Sequence, residues 1–412
     1  MKKFLLVLLC IVLAFAVIFG GFALANKLHE KTMNEYIDSF GKVEFENQLA
    51  PDKDENGRYY FTTDEDFKVL HLTDIHIGGG VLSAETDKKV INAVAAMITA
   101  EKPDLVIVTG DISFAVPWAG TINNSYAHNY FCRLMENLGV YWTVTLGNHD
   151  SESYDYYQRS WVADRYASEN LEYCLFERGP EDVAGEGNHV INVKGTTGLI
   201  TQSFIMMDTH SYTDEDPLGI MWLYDNIDET QIDWYKGVIA ENQAQNRAIL
   251  ASMNERDLPE NADLENPKSM LFMHIPLMEV RNAYLEYLGA GENDTDDSKY
   301  IEGKVGETDP YVYCSEEEEQ MFETILELGS TKAMFYGHDH LNNLVVEYKG
   351  VVLSYGYSMD YFAYSGIDKI GSQRGCTVII CSPDTSFEII HENYYQDKYQ
   401  PLYPKETVDM TN

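Results

Sequence analysis

The stretch Lys68-Val69-Leu70-His71-Leu72-Thr73-Asp74-Ile75-His76 is the most informative part of the sequence for the fold. It begins with a short apolar run typical of a buried strand, and the run leads directly into side chains that can bind a metal ion. A second run, Leu105-Val106-Ile107-Val108, comes shortly before Gly110-Asp111. Apolar, β-branched runs of this length predict buried strands, and open α/β sheets bind ligands where their strands end. Three further motifs follow the same pattern: Gly147-Asn148-His149-Asp150, Met273-His274 and Gly337-His338-Asp339-His340.

Strand-like and helix-like segments alternate from Lys68 onward, which predicts a layered α/β domain. The predicted segments are a helix over 86–100, a strand over 105–109, a helix over 127–138, a strand over 141–146, a strand over 203–207 and a helix from Glu229. We assign residues 67–395 to this domain and residues 396–412 to a C-terminal tail.

Residues 4–25 carry no charge and follow Lys2 and Lys3, a pattern typical of a membrane-targeting segment. We expect residues 1–26 to form an N-terminal transmembrane helix that acts as a signal anchor. The protein would then be a single-pass protein of the cell membrane with residues 67–395 on the extracytoplasmic side. The alternative is secretion after cleavage at Ala25. Residues 27–66 are polar and turn-rich, and we interpret them as a stalk or linker.

The composition indicates a folded, acidic protein. The 412 residues are 45% hydrophobic and 12% aromatic, and the formal net charge is −38. Such a surface repels nucleic-acid phosphate, so we expect no nucleic-acid polymer as a partner. The same charge also fits a general role in solubility, and a metal pair would reverse the local field that an anionic substrate meets.

The residue types of the motifs indicate a metal site. Alternation along an extended chain puts Asp74 and His76 on the same side, where both can reach one cation. His338 and His340 are separated by one residue between glycine and acidic side chains, which favours ligation over packing. His274 taken alone is better explained as a core histidine. Ligands of this mixed kind accept Mn, Fe or Zn, so the sequence leaves the metal open.

Taken together, the five motifs resemble the calcineurin-like metallophosphoesterase superfamily, whose ordered blocks are DxH, GD, GNH followed by an acidic residue, an isolated His, and GHxH. The resemblance runs from about residue 67 to about residue 390 and looks closest to secretory-pathway phosphatases related to the small purple acid phosphatases of plants. It implies an α/β fold in which two mixed β-sheets pack as a sandwich flanked by helices.

The resemblance also implies a role for each site residue. Asp74, His76 and His340 would bind the first metal ion, and Asn148, His274 and His338 the second. Asp111 would bridge the two ions. His149 would protonate the leaving-group oxygen, and Asp150 would hold the His149 ring in orientation.

The implied activity is hydrolysis of a phosphate ester by a hydroxide that bridges two divalent or mixed-valence metal ions. We expect a phosphomonoesterase. The alternatives are a phosphodiesterase or pyrophosphatase that acts on a nucleotide or an envelope lipid intermediate, and a metal-binding surface module without catalysis.

Three further features bear on the site. Phe114 stands where purple acid phosphatases carry an iron-binding Tyr, so no iron-tyrosinate colour is expected. Serine/threonine phosphatases of the superfamily carry an Arg just after the GD block, and residues 112–118 here contain none, which leaves Arg281 and Arg374 as weak candidates for phosphate binding. The segment 292–319 carries eleven acidic residues and two lysines, and we interpret it as a solvated loop, with a cation-binding or lid loop near the site as the alternative.

Overall fold

The computed structural model describes residues 2–254, 262–307, 311–316, 320–364, 367 and 373–408. The helices of this part are α1 (Lys2–Ile37), α2 (Ala84–Glu101), α3 (Ser125–Leu138), α4 (Arg159–Tyr166), α5 (Glu229–Ser252), α6 (Met278–Gly289) and α7 (Met321–Leu328). The strands are β1 (Asp52–Lys53), β2 (Tyr59–Thr62), β3 (Phe67–Leu72), β4 (Leu105–Thr109), β5 (Trp142–Thr145), β6 (His189–Lys194), β7 (Ile200–Met206), β8 (Lys268–Phe272), β9 (Ser298–Glu302), β10 (Thr331–Tyr336), β11 (Val345–Tyr348), β12 (Val351–Tyr355), β13 (Gly375–Cys381) and β14 (Phe387–Asn393).

The strands form two mixed sheets. One has five strands in the order β14-β13-β3-β4-β5, and the other has nine in the order β1-β2-β6-β7-β8-β10-β12-β11-β9. In the first sheet β3, β4 and β5 run parallel, and in the second β7, β8, β10 and β12 do. The α/β fold with two mixed sheets that the sequence predicted is confirmed.

The two sheets enclose an apolar core because their strands alternate buried side chains toward each other. Val69 and Ile107 of the smaller sheet share this core with Phe204, Phe272 and Phe335 of the larger sheet. Helices α2 and α3 cover the outer face of the smaller sheet, and α5, α6 and α7 cover the larger one. The result is a four-layer arrangement of helices, sheet, sheet and helices.

The five sequence motifs all follow parallel strands. The strands β3, β4 and β5 end at Leu72, Thr109 and Thr145, and β8 and β10 end at Phe272 and Tyr336. Because parallel strands of one sheet share a carboxyl edge, the motifs that follow them emerge at the same rim. This topology brings residues from both sheets to one site.

The segment 27–66, interpreted above as a stalk, lies against the domain in the structure. Met33 and Ile37 of α1 are fully buried in the core beside α2 and α3, and Arg133 makes a paired hydrogen bond with Asp38. Strand β2 pairs with β6 of the larger sheet. Because the segment is mostly polar, its sequence did not reveal these few buried apolar residues. The C-terminal tail also packs back, since Tyr403 stacks on Tyr36 at 4.7 Å between ring centroids.

Helix α1 begins within the predicted anchor, but many side chains of residues 1–19 lie outside the described residues. Within the described part of the chain, no helix combines the length and apolar character needed to cross a bilayer. The expected N-terminal transmembrane helix is therefore not supported. The extracytoplasmic location that we inferred from the same segment stays a prediction.

The acidic segment 292–319 is not entirely a loop. Residues Ser298–Glu302 form β9, which pairs with β11 at the edge of the larger sheet. Four of these five residues are exposed, so the strand lacks the apolar alternation by which a sequence reveals a strand.

Candidate metal centre

Four candidate ligands meet in one buried cluster. The ligand atoms of Asp74, His76, Asp111 and His340 all lie within 4.8 Å of one another. Asp74 and His76 follow β3, Asp111 follows β4 and His340 follows β10, so each of three strands contributes. Carboxylate and imidazole groups gathered this closely away from water fit a metal ion, because they would otherwise be left with poorly compensated charge.

The remaining candidates lie on the other side of Asp111. Its Oδ2 lies 3.1 Å from the His76 Nε2 and 3.1 Å from the His274 Nε2. The His274 Nε2 is also 3.1 Å from the Asn148 Oδ1, and the His274 and His338 rings are 5.2 Å apart. Asp111 therefore stands between two groups of ligands, in the position expected of a carboxylate shared by two ions.

The backbone is strained at these positions. Asp74, His76, Asp111 and His338 have φ angles of 51°, 52°, 52° and 75°. Non-glycine residues rarely adopt this left-handed region, and such strain concentrates at functional sites. The turns aim the side chains into the cluster rather than along the strands.

Two motif glycines are required because atoms of other residues lie too close to them for a side chain to fit. A Cβ on Gly147 would collide with Oδ1 of Asp111, and a Cβ on Gly110 would lie 2.7 Å from Nδ1 of His274. These glycines leave room for the ligands, which explains why glycine precedes both Asp111 and Asn148.

Electrostatics keeps the central carboxylate charged. Burial alone would raise the pKa of Asp111, but the imidazoles of His274, His149 and His76 hold it well below its ordinary value. Conversely, burial would lower the pKa of His274, yet the Asp111 carboxylate raises it to about 9. An ionised Asp111 can serve directly as an anionic ligand.

Groups behind the ligands fix the ring orientations. The His274 Nδ1 donates to the Thr109 carbonyl at 2.7 Å, which leaves Nε2 free to face the centre. The Asp360 carboxylate lies 3.3 Å from Nδ1 of His340 and 3.7 Å from Nδ1 of His76. Asp360 is fully buried and belongs to no motif, so sequence reasoning missed it.

The structure corrects the role assigned to Asp150. Its carboxylate accepts four backbone N–H groups, from Gly147 and from residues 111–113, rather than a hydrogen bond from the His149 ring. The partner of His149 is Glu152, whose Oε1 lies 2.6 Å from Nδ1. The two residues are three apart at a single helical turn and so share a face, whereas neighbouring residues diverge. Asp150 holds the two motif loops together.

His149 itself lies beside the centre. Its backbone N–H donates to Oδ1 of Asp111 at 2.8 Å, and its partly exposed ring packs edge-on against Phe114 at 4.9 Å. Phe114 in turn stacks on the His76 ring at 5.3 Å. The ring at position 114 thus packs against a candidate ligand without a phenol oxygen to offer.

A cleft of about 380 Å³ opens above the centre. Its lining comes from both motif residues and distant loops: His149, Trp222, Tyr224, Glu307, Tyr313, His338, Asp339, His340 and Tyr364. Ions in the cluster would therefore be open to a small ligand.

The weaker candidates are engaged elsewhere. Arg281 pairs with Glu316, and the buried Arg374 donates to the Asp360 carbonyl and to the Tyr395 hydroxyl. Neither lines the cleft.

The sequence comparison now decides the family. The model of the family described as calcineurin-like phosphoesterase matches residues 67–342, which is well over half of the chain. The protein belongs to the calcineurin-like phosphoesterase family. The match begins at the first residue of β3 and ends just beyond His340, so it contains every motif described above.

Relatives of this calcineurin-like phosphoesterase include plant proteins. It is 26% identical over 353 residues to "Probable inactive purple acid phosphatase 28" of Arabidopsis thaliana, covering 77% of this chain and 76% of the relative. It is 26% identical over 330 residues to "Probable inactive purple acid phosphatase 14" of the same plant, covering 74% of each. Phosphatase DCR2 of Saccharomyces cerevisiae is 27% identical over 68% of this chain but only 45% of its own length.

Solved structures with a similar arrangement include a dimetal phosphatase from Danio rerio, at a TM-score of 0.45 and 10% identity over 80% of this chain and 99% of that one. Another is the purple acid phosphatase PPD1 of yellow lupin (Lupinus luteus), at a TM-score of 0.39 and 11% identity over 86% of this chain and 58% of that one.

Proposed function

We propose that this calcineurin-like phosphoesterase hydrolyses phosphate esters with two divalent or mixed-valence metal ions, and that phosphomonoesters are its preferred substrates. The observation that carries the proposal is the position of Asp111, whose Oδ2 lies 3.1 Å from the ring nitrogens of both His76 and His274. One ion would take Asp74, His76 and His340, and the other Asn148, His274 and His338, with Asp111 shared.

The bound ions would lower the pKa of water and offset charge on the phosphoryl group, so the protein needs no nucleophile of its own. Mn, Fe and Zn all suit the donor set. Gly110 and Gly147 leave room for the ligands, and the Asp360 carboxylate lies beside Nδ1 of His340 and of His76.

His149 is our candidate for the group that donates a proton to the departing alcohol oxygen. It lines the cleft, lies next to Asp111 in space and has a carboxylate partner in Glu152. The pair resembles other acid–base arrangements in which a carboxylate orients an imidazole.

The word "inactive" in the names of the two Arabidopsis relatives describes those proteins. In this chain, all seven candidate ligand positions hold residues able to bind metal, and His149 with Glu152 stands beside them. These features favour catalysis over a metal-binding module without activity.

The test is turnover by the purified protein after metal removal and resupply with Mn, Zn or Fe, on matched aryl phosphate monoester and diester substrates. We expect metal-dependent hydrolysis that favours the monoester and is abolished by Asp111→Asn. The matched control is Asp233→Asn, which removes an exposed carboxylate of α5 that pairs with Lys236, and it should behave as the unsubstituted protein.

A hundredfold preference for the diester would instead indicate a phosphodiesterase. Absence of turnover on both esters, with two ions firmly bound, would favour the metal-binding module.

A further inference from the structure

The cleft above the metal centre has walls that the hydrolytic chemistry does not require. Four aromatic side chains line it, Trp222, Tyr224, Tyr313 and Tyr364, and they come from three separate segments. Metal ligands and His149 form the floor. The walls therefore have a function of their own, which their chemistry can identify.

The four aromatic rings extend from the candidate metal ligands to the mouth of the cleft. Tyr224 packs edge-on against His338 at 4.5 Å, and Tyr364 against His340 at 5.5 Å. Higher up, Trp222 meets Tyr313 edge to face at 5.8 Å between ring centroids. A ligand whose phosphoryl group reaches the centre would have its other end among these rings.

The exposed position of Trp222 is built into its loop. The indole is 60% exposed, although large apolar side chains usually avoid water. Trp222 has a φ of 58°, and the buried carboxylate of Asp216 accepts backbone N–H groups from Ile220, Met221 and Leu223. A loop organised so firmly holds the ring at the mouth of the cleft rather than letting it fold inward.

The charge of the walls is negative. Glu307 is 9% exposed, and its two oxygens accept from the Leu341 backbone N–H at 3.1 Å and the Tyr364 hydroxyl at 3.2 Å. Both donors are neutral. Among the described residues that line the cleft there is no lysine or arginine. Away from the floor, the cleft thus offers aromatic faces and a carboxylate to its ligand.

Aromatic faces combined with a carboxylate are the chemistry that recognises an organic ammonium group, through cation–π attraction and charge pairing. An alcohol half that carried further phosphates would be repelled by Glu307. A neutral alcohol half would leave the negative charge of Glu307 without a partner. The volume of about 380 Å³ suits a small ester rather than a polymer.

We propose that the cleft selects phosphate monoesters of short alkylammonium alcohols, the class to which phosphocholine belongs. This proposal rests on the proposed hydrolytic function. The phosphoryl group lies at the metal centre, and the ammonium group lies in the cleft against the aromatic rings of its walls, within reach of Glu307. In the reaction, the oxygen of water forms a bond to phosphorus and the bond from phosphorus to the alcohol oxygen breaks. The alcohol oxygen leaves with a proton from His149, and the proton that the water gives up to solvent balances the one that His149 takes back from it.

The experiment compares phosphocholine with 3,3-dimethylbutyl phosphate, which has the same shape but carries a neutral tert-butyl group in place of trimethylammonium. Two quantities are measured on the metal-loaded protein: kcat/KM for each ester, and calorimetric affinity for each ester. We expect phosphocholine to be preferred by about tenfold or more in both.

Two variants locate the preference. Glu307→Gln and Trp222→Leu should each lower the ratio between the two esters severalfold, and Trp222 is exposed enough for its substitution to spare the fold. The matched control is Glu388→Gln, an exposed carboxylate on β14, which should leave the ratio unchanged.

The possible failures are distinguishable. Equal kcat/KM and equal affinity for the two esters would overturn the ammonium proposal while leaving the hydrolase intact. A binding preference without turnover of either ester would support the ammonium site and refute the hydrolytic function. A preference that survives both wall substitutions would show that other residues cause it, and would overturn the assignment made here.

Discussion

The floor and the walls of the cleft are built in different ways. The floor consists of short motifs that each follow a buried parallel strand, with Asp111 between His76 and His274. The walls come from loops without a motif, and they carry Trp222 and Glu307. The floor is fixed by strand ends on a rigid sandwich, so it suits chemistry that needs exact placement. The loops of the walls are not fixed by strand ends in this way, so they suit the selection of substrates.

This difference predicts how substitutions should act. Changes in the floor should alter metal binding or the rate on every ester. Changes in the walls should alter the ratio between esters whose leaving groups are alike, such as phosphocholine and 3,3-dimethylbutyl phosphate. The following substitutions test the floor half of that division, in order of decreasing effect.

Replacing His149 should have the largest effect. His149→Ala removes the candidate proton donor and should lower kcat by about a thousandfold on an alkyl phosphate with a poor leaving group. An aryl phosphate with a good leaving group needs little protonation, so its rate should fall far less. The measurement is kcat across a series of leaving groups, with bound metal unchanged by elemental analysis. An equal loss for all leaving groups would contradict the assigned role.

Gly147→Ala tests the space around Asp111. The added methyl group collides with Oδ1 of Asp111, so the shared carboxylate must move, and a misplacement of this kind should cost about a hundredfold in kcat/KM. The matched control is Gly237→Ala in α5, where an added Cβ meets nothing within 4 Å. That variant should keep its activity and gain up to about 1 kcal/mol in the free energy of unfolding. Equal activity of both variants would show that the glycine is not needed for the centre.

Asp360→Asn tests the support behind the rings. Burial alone would raise the pKa of Asp360, but His340 and His76 hold it well below the ordinary value of 3.8. The carboxylate is therefore ionised at neutral pH. Replacement by the neutral amide should weaken metal affinity by about thirtyfold, as measured by competition with a chelator. Unchanged metal affinity would show that Asp360 only packs behind the rings and does not support metal binding.

Glu152→Gln should have the smallest effect of the four. The amide can still contact Nδ1 of His149 but holds it less firmly, so kcat should fall by about tenfold with KM and metal content unchanged. The comparison is Asp150→Asn, which disturbs four backbone hydrogen bonds and should lower the melting temperature instead. If Asp150→Asn lowered kcat without loss of stability, the role originally assigned to Asp150 would be restored.

Local patterns predicted much of the fold and most of the floor. The strand predicted over 105–109 is β4, which is a continuous apolar and β-branched run that is buried throughout. The helix predicted from Glu229 is α5, which starts with a capping box at Asp228. The ligand motifs were visible because each is continuous in sequence. The roles of individual ligands stay predictions.

What the sequence did not reveal depends on long-range contacts. Asp360 follows His340 by twenty residues and is brought behind it only by the fold, and Glu307 lies in an acidic segment where no single residue stands out. Strand β9 lacks buried alternation because it is an exposed edge. Residues 27–66 look like a linker because only a few apolar side chains, such as Met33 and Phe61, tie them to the domain.

Elemental analysis of the purified protein tests the central claim most directly. Asp111 shared between two ligand groups predicts two tightly bound ions per chain after loading with Mn, Zn or Fe, and loss of at least one ion in Asp111→Asn. The Asp233→Asn control should retain both. A folded protein that binds one ion or none with all three metals, or an Asp111→Asn variant that keeps both, would contradict the two-metal centre.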